Sequence, residues 1–489
     1  MRKATLLITL VFLAACSTNP ATGKRQFNIV SESQELAIGQ QSHREIIEQF
    51  GVYDEKPELN RLVERIGRDL AAKSERPNLP WTFTVLDSPM VNAMALPGGY
   101  IYVTRGMLER INSEDELAGV IGHEIAHVTA RHSAQQISKQ QLAQFGLVLG
   151  AVVAGPEVLQ QYGQLAQIGL GLLFQRYSRQ HETEADLLGT GYMAEARYHP
   201  IGAERMLMTL QRLDKNPAGG LDRYFMSHPD PAKRVRDVRQ KITEMGGMLS
   251  SGSYEAPDRD EYVRLLDGSI TGNSTEHTVI RNGVVYDRGH GIVVRAPNGW
   301  TASTQPGVLF AMTPTRDNGS SYFVAQEVNA RELQGRNAQE AIRLRLQQMG
   351  LGYVGARNAR MGTGEQFAVD VWQGQTQQGA VGVETTQFVH GDHVVVMMFV
   401  SPNVSSRNSP MSAILQEMDV RPAQAQAAQP ARLRIGAVRS GESWADLARR
   451  ATGNTRDAEA VANINGFDLD QPPQVGMMVK LPEEVIQDR

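Results

Sequence analysis

The chain has 489 residues and a formal net charge of −4; it is 41% hydrophobic, 21% charged, and contains one cysteine. That length suggests about three domains, each able to bury a core without covalent staples. A single thiol excludes an intramolecular disulfide framework and any cysteine-cluster metal site, and the near-neutral charge gives no reason to expect a nucleic-acid partner.

Residues 1–15 begin with Arg2-Lys3, run apolar from Leu6 to Leu13 and end on Ala14-Ala15 before Cys16. A basic start, a short apolar stretch and small residues make a secretory signal. Leu13-Ala14-Ala15-Cys16 resembles the bacterial lipobox, whose cysteine thiol takes lipid and becomes the new N-terminus. Ser17 follows instead of Asp, which in that sorting pattern implies the outer membrane. The expectation is a lipoprotein signal peptide over 1–15 and a mature chain lipid-anchored at Cys16, on the periplasmic face of the outer membrane. Losing Arg2 and Lys3 leaves 47 basic against 53 acidic residues, a net charge of −6. No later segment reaches 18 uninterrupted apolar residues, so this chain is expected to hang from lipid and not to span.

From Ser31 to Ser74 the pattern is helical, with apolar residues three and four apart after Pro57. Trp81–Leu86 alternates like a strand, and Asn92–Leu96 and Tyr100–Thr104 read as a strand pair broken by Pro97-Gly98-Gly99. Ser113 with Glu116 forms a capping box that opens a helix expected to run past Ala130 to about Gln144. The apolar run Phe145–Gly155 and the patch Ile168–Phe174 read as a buried helical hairpin. A helix carries Gln180–Tyr192, another follows Pro200 to Leu213, and helices fade near Gly246-Gly247. Residues 16–250 are thus expected to form one mainly helical domain. Between about 255 and 420 alternating strands dominate (Val284–Tyr286, Gly291–Ala296, Tyr322–Val328, Ala368–Trp372, His393–Val400), with one helix at Ala338–Met349. That is an α+β domain without a catalytic constellation. Low-complexity residues 421–430 read as a linker, and a small module is expected over 431–482.

The chemistry is concentrated in His123-Glu124-Ile125-Ala126-His127. Residues four apart share a helix face, so both imidazoles reach one metal ion while Glu124 lies beside it as a general base. Neutral imidazoles suit Zn²⁺, and the motif points to a zinc metallopeptidase. Two histidines are not enough, because a catalytic zinc has three protein ligands and an open position. A metzincin would place a histidine at 133, where this chain has Ser133. The helix His181-Glu182-Thr183-Glu184-Ala185-Asp186 supplies candidates, and spacing leaves Glu182 and Glu184 both open. His132, five residues beyond His127, falls off the metal face; His43, His199, His277 and His290 have no companions at ligand spacing, and His390-Gly391-Asp392-His393 reads as a hairpin tip.

At these residues the sequence resembles the HtpX- and BepA-like zinc metallopeptidases, gluzincins related to the CAAX prenyl endopeptidases. In that family the first Glu of a Glu-x-x-x-Asp motif is the third ligand. The resemblance therefore implies one Zn²⁺ per chain on His123, His127 and Glu182, with Asp186 orienting a ligand histidine. Asn92-Ala93-Met94-Ala95 is similar to the family's edge strand above the cleft, which would hold extended peptide through main-chain hydrogen bonds. Ser227-His228-Pro229 with Arg234 is similar to its His-Pro element, which implies that His228 and Arg234 face the cleft and stabilise the oxyanion. His228 could instead take the fourth zinc position at rest. The implied fold is α+β: a zincin-type domain with a small edge sheet, then the strand-rich domain, then the terminal module. The resemblance covers about Gln34–Gly246 and includes no tetratricopeptide helices. Residues 431–482 look like a LysM module, a strand–helix–helix–strand unit that binds peptidoglycan sugars, although Val475-Gly476 stands where Pro-Gly is usual. Expected partners are unfolded or misassembled envelope proteins, the membrane through lipid, and peptidoglycan.

Overall fold

The computed structural model describes residues 16–140, 177–214, 228, 231–246, 259–316, 320–328, 338–376, 379–390, 393–402 and 409–485. The expected signal peptide, the apolar run Phe145–Gly155 and the patch Ile168–Phe174 lie outside them. The chain divides into two compact units, Met1–Asp267 with Arg434–Leu481, and Gly268–Leu433 with Pro482–Arg489.

In the first unit, β1 (Cys16–Thr18) pairs antiparallel with β2 (Arg25–Phe27). Helix α1 (Glu32–Phe50) starts on a Ser31/Gln34 capping box, and α2 (Pro57–Ala71) has proline in its first turn. The predicted stripe of α2 is buried: Leu59, Leu62, Val63, Ile66 and Leu70 face the core. Strands β3 (Thr82–Leu86), β4 (Ala93–Leu96) and β5 (Tyr100–Thr104) form a sheet in the order β3–β5–β4. Gly98 and Gly99, at φ 85° and 101°, make the β4–β5 turn with a backbone that side-chain-bearing residues rarely adopt. After α3 (Arg105–Arg110) comes α4 (Glu114–Thr129), which carries the His-Glu-x-x-His motif. The expected run to Gln144 is corrected here. Helix α4 stops at Thr129, Arg131 takes a left-handed φ of 58°, and a new helical segment covers 132–140. Helices α5 (Arg179–Glu195), α6 (Ile201–Asp214), α7 (Pro231–Glu244) and α8 (Arg259–Leu265) follow, with α2, α5 and α6 packed on α4.

The second unit has two antiparallel sheets. Strands β6 (Thr278–Arg281), β7 (Val284–Asp287), β8 (Ile292–Arg295) and β16 (Met418–Val420) form the smaller one, in the order β16–β8–β7–β6. The larger contains β9 (Trp300–Gln305), β10 (Val308–Pro314), β11 (Tyr322–Val328), β12 (Gly352–Arg360), β13 (Gln366–Thr376), β14 (Gly379–His390) and β15 (His393–Ser401), in the order β12–β13–β14–β15–β11–β10–β9. Helix α9 (Ala338–Gln348) follows β11, and α10 (Pro410–Gln416) follows β15. Val285, Ile292 and Val294 share a core with Phe310, Phe323, Met397, Phe399, Ile414 and Leu415. The segment 421–430, read as a linker, contains the helix α11 (Pro422–Ala427), whose Ala425 is buried against Val284 and Val293.

The C-terminal segment runs β17 (Leu433–Ala437), α12 (Trp444–Thr452), α13 (Ala458–Ile464) and β18 (Met478–Pro482), with β17 and β18 paired. Trp444, Leu447, Val461, Ala462 and Val479 build its core. Residues 434–481 belong to the first unit: Lys480 Nζ, fully buried, donates to Glu109 O at 2.7 Å and Ile111 O at 2.9 Å.

Candidate active site

The site is built from the start of α4. Ser113 Oγ accepts from Glu116 N at 3.1 Å, as the capping pattern predicts, whereas Glu116 Oε2 accepts from Asn112 N at 3.0 Å, one residue earlier than a capping box requires. From Asp115 to Thr129 every residue of α4 is buried, so its motif lies inside the unit and not on a solvated helix face.

Helix α5 crosses α4 where Gly122 and Gly189 meet. A Cβ on Gly189 would lie 2.7 Å from Gly122 C and 2.8 Å from His123 N. This backbone approach delivers the first turn of α5, capped by Ser178 Oγ accepting His181 N at 3.2 Å, to the two histidines. Glu182, not Glu184, faces them. Glu182 Oε2 is 3.6 Å from His123 Nε2 and Oε1 is 3.4 Å from His127 Nε2, while the two Nε2 atoms are 3.0 Å apart. Glu184 turns away and accepts from Asn19 Nδ2 at 3.1 Å.

The far nitrogens are also engaged. Asp186 Oδ1 lies 2.9 Å from His123 Nδ1, and His132 Nδ1 lies 2.9 Å from His127 Nδ1. By spacing His132 is off the metal face, and on a continuous helix it would be; the left-handed break at Arg131 brings it back. With each Nδ1 donating outward, both Nε2 lone pairs point at Glu182. Burial pushes His127 down to about 3, so its ring is neutral at physiological pH. Tyr177, which nothing in the sequence singles out, stacks on His127 with ring centroids 3.9 Å apart, and its hydroxyl lies 2.9 Å from Ser133 Oγ.

His228 joins the cluster, its Nδ1 3.1 Å from Glu182 Oε2 and 3.3 Å from His123 Nε2, and its Nε2 3.8 Å from Glu124 Oε1. Arg234 directs Nε and Nη2 to Asp186 at 2.7 and 2.8 Å, and Nη1 to Glu182 at 2.9 Å. Burial alone would raise both carboxyls; His228 and Arg234 outweigh it at Glu182, and Arg234 outweighs it at Asp186, holding each below its ordinary range. At Glu124 burial wins over the nearby histidines and the carboxyl is pushed up. Asn92, Ala93, Met94 and Ala95 lie along β4 at the edge of its sheet, but their exposures are only 1, 0, 3 and 6%. The side chains of that edge are core.

The donor set fits zinc. Bonds of about 2.0–2.2 Å in a tetrahedron place neighbouring ligand atoms about 3.3–3.6 Å apart, and the three donors here are 3.0–3.6 Å apart. Glu124 Oε2 is buried with no hydrogen-bond partner among the described residues, and Oε1 lies 3.8 Å from His228 Nε2.

Comparison with known proteins agrees. Residues 57–242 match the description of peptidase family M48, inside the span over which the motifs carry the resemblance. The mitochondrial metalloendopeptidase OMA1 of Schizosaccharomyces pombe is 31% identical over 46% of this chain and 66% of its own. A putative beta-barrel assembly-enhancing protease of Vibrio cholerae is 29% identical over 46% of this chain and 47% of its own. The beta-barrel assembly-enhancing protease of Escherichia coli K12 is 25% identical, covering 50% and 51%. The chain thus spans less than two thirds of the length of each of these relatives. The matched segment, residues 57–242, is similar to family M48 and contains His123, His127, Glu182 and His228, the residues that could hold a metal ion.

Proposed function

We propose that the chain is a zinc-dependent endopeptidase of the bacterial envelope, anchored by lipid at Cys16 and acting on misfolded or stalled envelope proteins. The observation that carries this reading is the convergence of His123, His127 and Glu182 at the helix that carries Glu124. A zinc ion held by His123, His127 and Glu182 would supply Lewis acidity for a water molecule and the scissile carbonyl. Glu124 takes the proton at Oε2 and returns it to the leaving amine. Arg234 keeps Glu182 and Asp186 ionised, and with its donors committed to those carboxylates, His228 is the donor assigned to the oxyanion. Main-chain pairing along Asn92–Ala95 would favour extended, unfolded chain over any particular sequence. Similarity to the beta-barrel assembly-enhancing proteases supports an envelope role. Among the described residues no helix is long and apolar enough to cross a membrane, which is compatible with a lipid anchor.

A second reading follows from His228, whose Nδ1 sits among the ligand atoms where it could fill the fourth zinc position: a cell-wall-tethered chaperone or assembly factor with a self-closed site. One comparison separates the two. Wild type and Glu124→Gln are assayed for bound zinc and for cleavage of an unfolded protein. The peptidase reading expects equal zinc and a loss of about 100- to 10,000-fold in rate. Stoichiometric zinc with no Glu124-dependent cleavage, even after His228→Ala, would leave the scaffold. Anchoring predicts that Cys16→Ala moves the protein from the membrane to the soluble fraction. For the terminal module we propose LysM-like binding of peptidoglycan, supported by its strand–helix–helix–strand order; equal retention on sacculi with and without residues 431–489 would eliminate it.

A further inference from the structure

A second cluster of metal-ligating side chains lies in the unit Gly268–Leu433, built from three segments well apart in sequence. His290 sits in the turn between β7 and β8 and is 5% exposed. Its Nδ1 is 2.6 Å from Asp287 Oδ2, and Asp287 is itself buried, with Oδ1 accepting from Gly289 N at 3.1 Å. Such a pair puts the ring proton on Nδ1 and leaves the Nε2 lone pair directed away from the aspartate.

That lone pair meets a carboxylate. His290 Nε2 lies 3.4 Å from Glu327 Oε2 and makes no hydrogen bond among the described residues. The other oxygen, Glu327 Oε1, is 2.6 Å from His393 Nδ1. Sheet register explains the meeting: Glu327 of β11 pairs with Val395 of β15, so His393, two residues earlier, is its diagonal neighbour on the same face. The two imidazoles stand at 87° with centroids 5.1 Å apart, and one donor atom from each of the three side chains falls within 4.8 Å of the others.

An imidazole lone pair and a carboxylate oxygen 3.4 Å apart repel unless a proton or a metal cation lies between them. With neutral rings the cluster carries the two negative charges of Asp287 and Glu327, which a divalent ion would balance. The 3.4 Å separation between His290 Nε2 and Glu327 Oε2 falls within the ligand-to-ligand distance of about 3.3–3.6 Å expected around zinc. Imidazole nitrogen selects borderline transition ions over Ca²⁺ and Mg²⁺, which take oxygen ligands. The side chains of Glu327 and His393 are 43% and 53% exposed, so an ion has a path in and both groups have room to open around it.

We propose that His290, Glu327 and His393 form a second divalent-metal site, a two-histidine, one-carboxylate set for Zn²⁺, with Asp287 as the positioning residue. The site joins the β7–β8 turn of the smaller sheet to the rim of the larger one. It is independent of the peptidase centre and is read without any assay of activity. The full-length protein, stripped with chelator and reloaded with Zn²⁺, is gel-filtered and its zinc counted. Two ions per chain are expected in wild type, one in His393→Ala, and one in His123→Ala/His127→Ala. Because His393 is half exposed, its replacement leaves folding intact, which circular dichroism verifies. In the His123→Ala/His127→Ala background, Asp287→Asn should weaken the remaining site about 10- to 100-fold in a Zn²⁺ titration. One zinc in wild type, or two retained in His393→Ala, overturns the proposal; so does a remaining site that Asp287→Asn leaves unchanged.

Discussion

An imidazole offers a metal one nitrogen, and whatever holds its other nitrogen decides how well it binds. Asp186 does this for His123 and His132 for His127, each at 2.9 Å. Burial holds His132 well below the usual histidine range, so it stays neutral and accepts the proton of His127 Nδ1. Replacing His132 with alanine should therefore lower zinc affinity about 10- to 100-fold while every ligand remains in place. A competition titration against a chromogenic chelator reads this directly; an unchanged affinity would mean that the contact is packing alone.

Among the elements, the crossing of α4 and α5 depends on two glycines. A Cβ at Gly189 would strike the backbone of Gly122 and His123, none of which can swing aside, so Gly189→Ala must push the helices apart. We expect a loss of about 1–3 kcal/mol in urea melts together with weaker zinc retention. At Gly191, two residues on in the same helix, an added Cβ would meet nothing within 4 Å, so Gly191→Ala should be neutral or stabilising by up to about 1 kcal/mol. In the other unit, α9 is fastened to β13 by Arg343, whose Nε and Nη2 each lie 2.8 Å from Asp370, with Gln339 Nε2 at 3.1 Å. Burial would raise the Asp370 carboxyl, but these donors outweigh it and hold it below its ordinary range. A depressed carboxyl stabilises the fold above its unfolded value of about 3.9 and stops doing so as pH falls through the folded value. Asp370→Asn should thus lower the urea midpoint at pH 7 and converge on wild type as pH falls through the folded value; a constant gap would refute the assignment.

For the molecule as a whole, the C-terminal segment changes what the peptidase domain consists of. The sequence presents residues 431–482 as a tethered module after a linker. Residues 434–481 instead belong to the same compact unit as the metal site, with Lys480 Nζ donating to Glu109 O and Ile111 O just before α4. Arg259 Nη1 donates to Met478 O at 2.7 Å and Ile435 N to Asp267 Oδ1 at 2.9 Å, so α8 and the residues after it hold both strands. Lys480→Met keeps the bulk and removes the donor from two buried carbonyls, a loss of about 1–3 kcal/mol. A lower unfolding midpoint for the peptidase unit is the expected result; an unchanged one would make the association incidental.

Local interactions account for much of what is legible in the sequence. The α4 start at Ser113, the stripe of α2, the Gly98-Gly99 turn and the four-residue spacing of His123 and His127 all follow from sterics and hydrogen bonds within a few residues. Strands such as Gly352–Arg360 are not legible, because this edge strand leaves most of its side chains exposed and shows little apolar alternation. Whether Glu182 or Glu184 serves the metal cannot be read from spacing, and only the family resemblance chooses between them. In the structure the choice is made by the Gly122–Gly189 crossing, which sets the rotation of α5 against α4. His132 escapes a reading by spacing because one residue with positive φ, Arg131, redirects the chain where the sequence pattern continues as helix. His290 and His393 escape it for the same kind of reason: they are about a hundred residues apart, and only sheet register brings them to Glu327. Sequence by itself determined the reactive helix and the chemistry it could perform. Tertiary packing decided which distant side chains complete it, because those contacts depend on how whole elements cross and not on their neighbours along the chain.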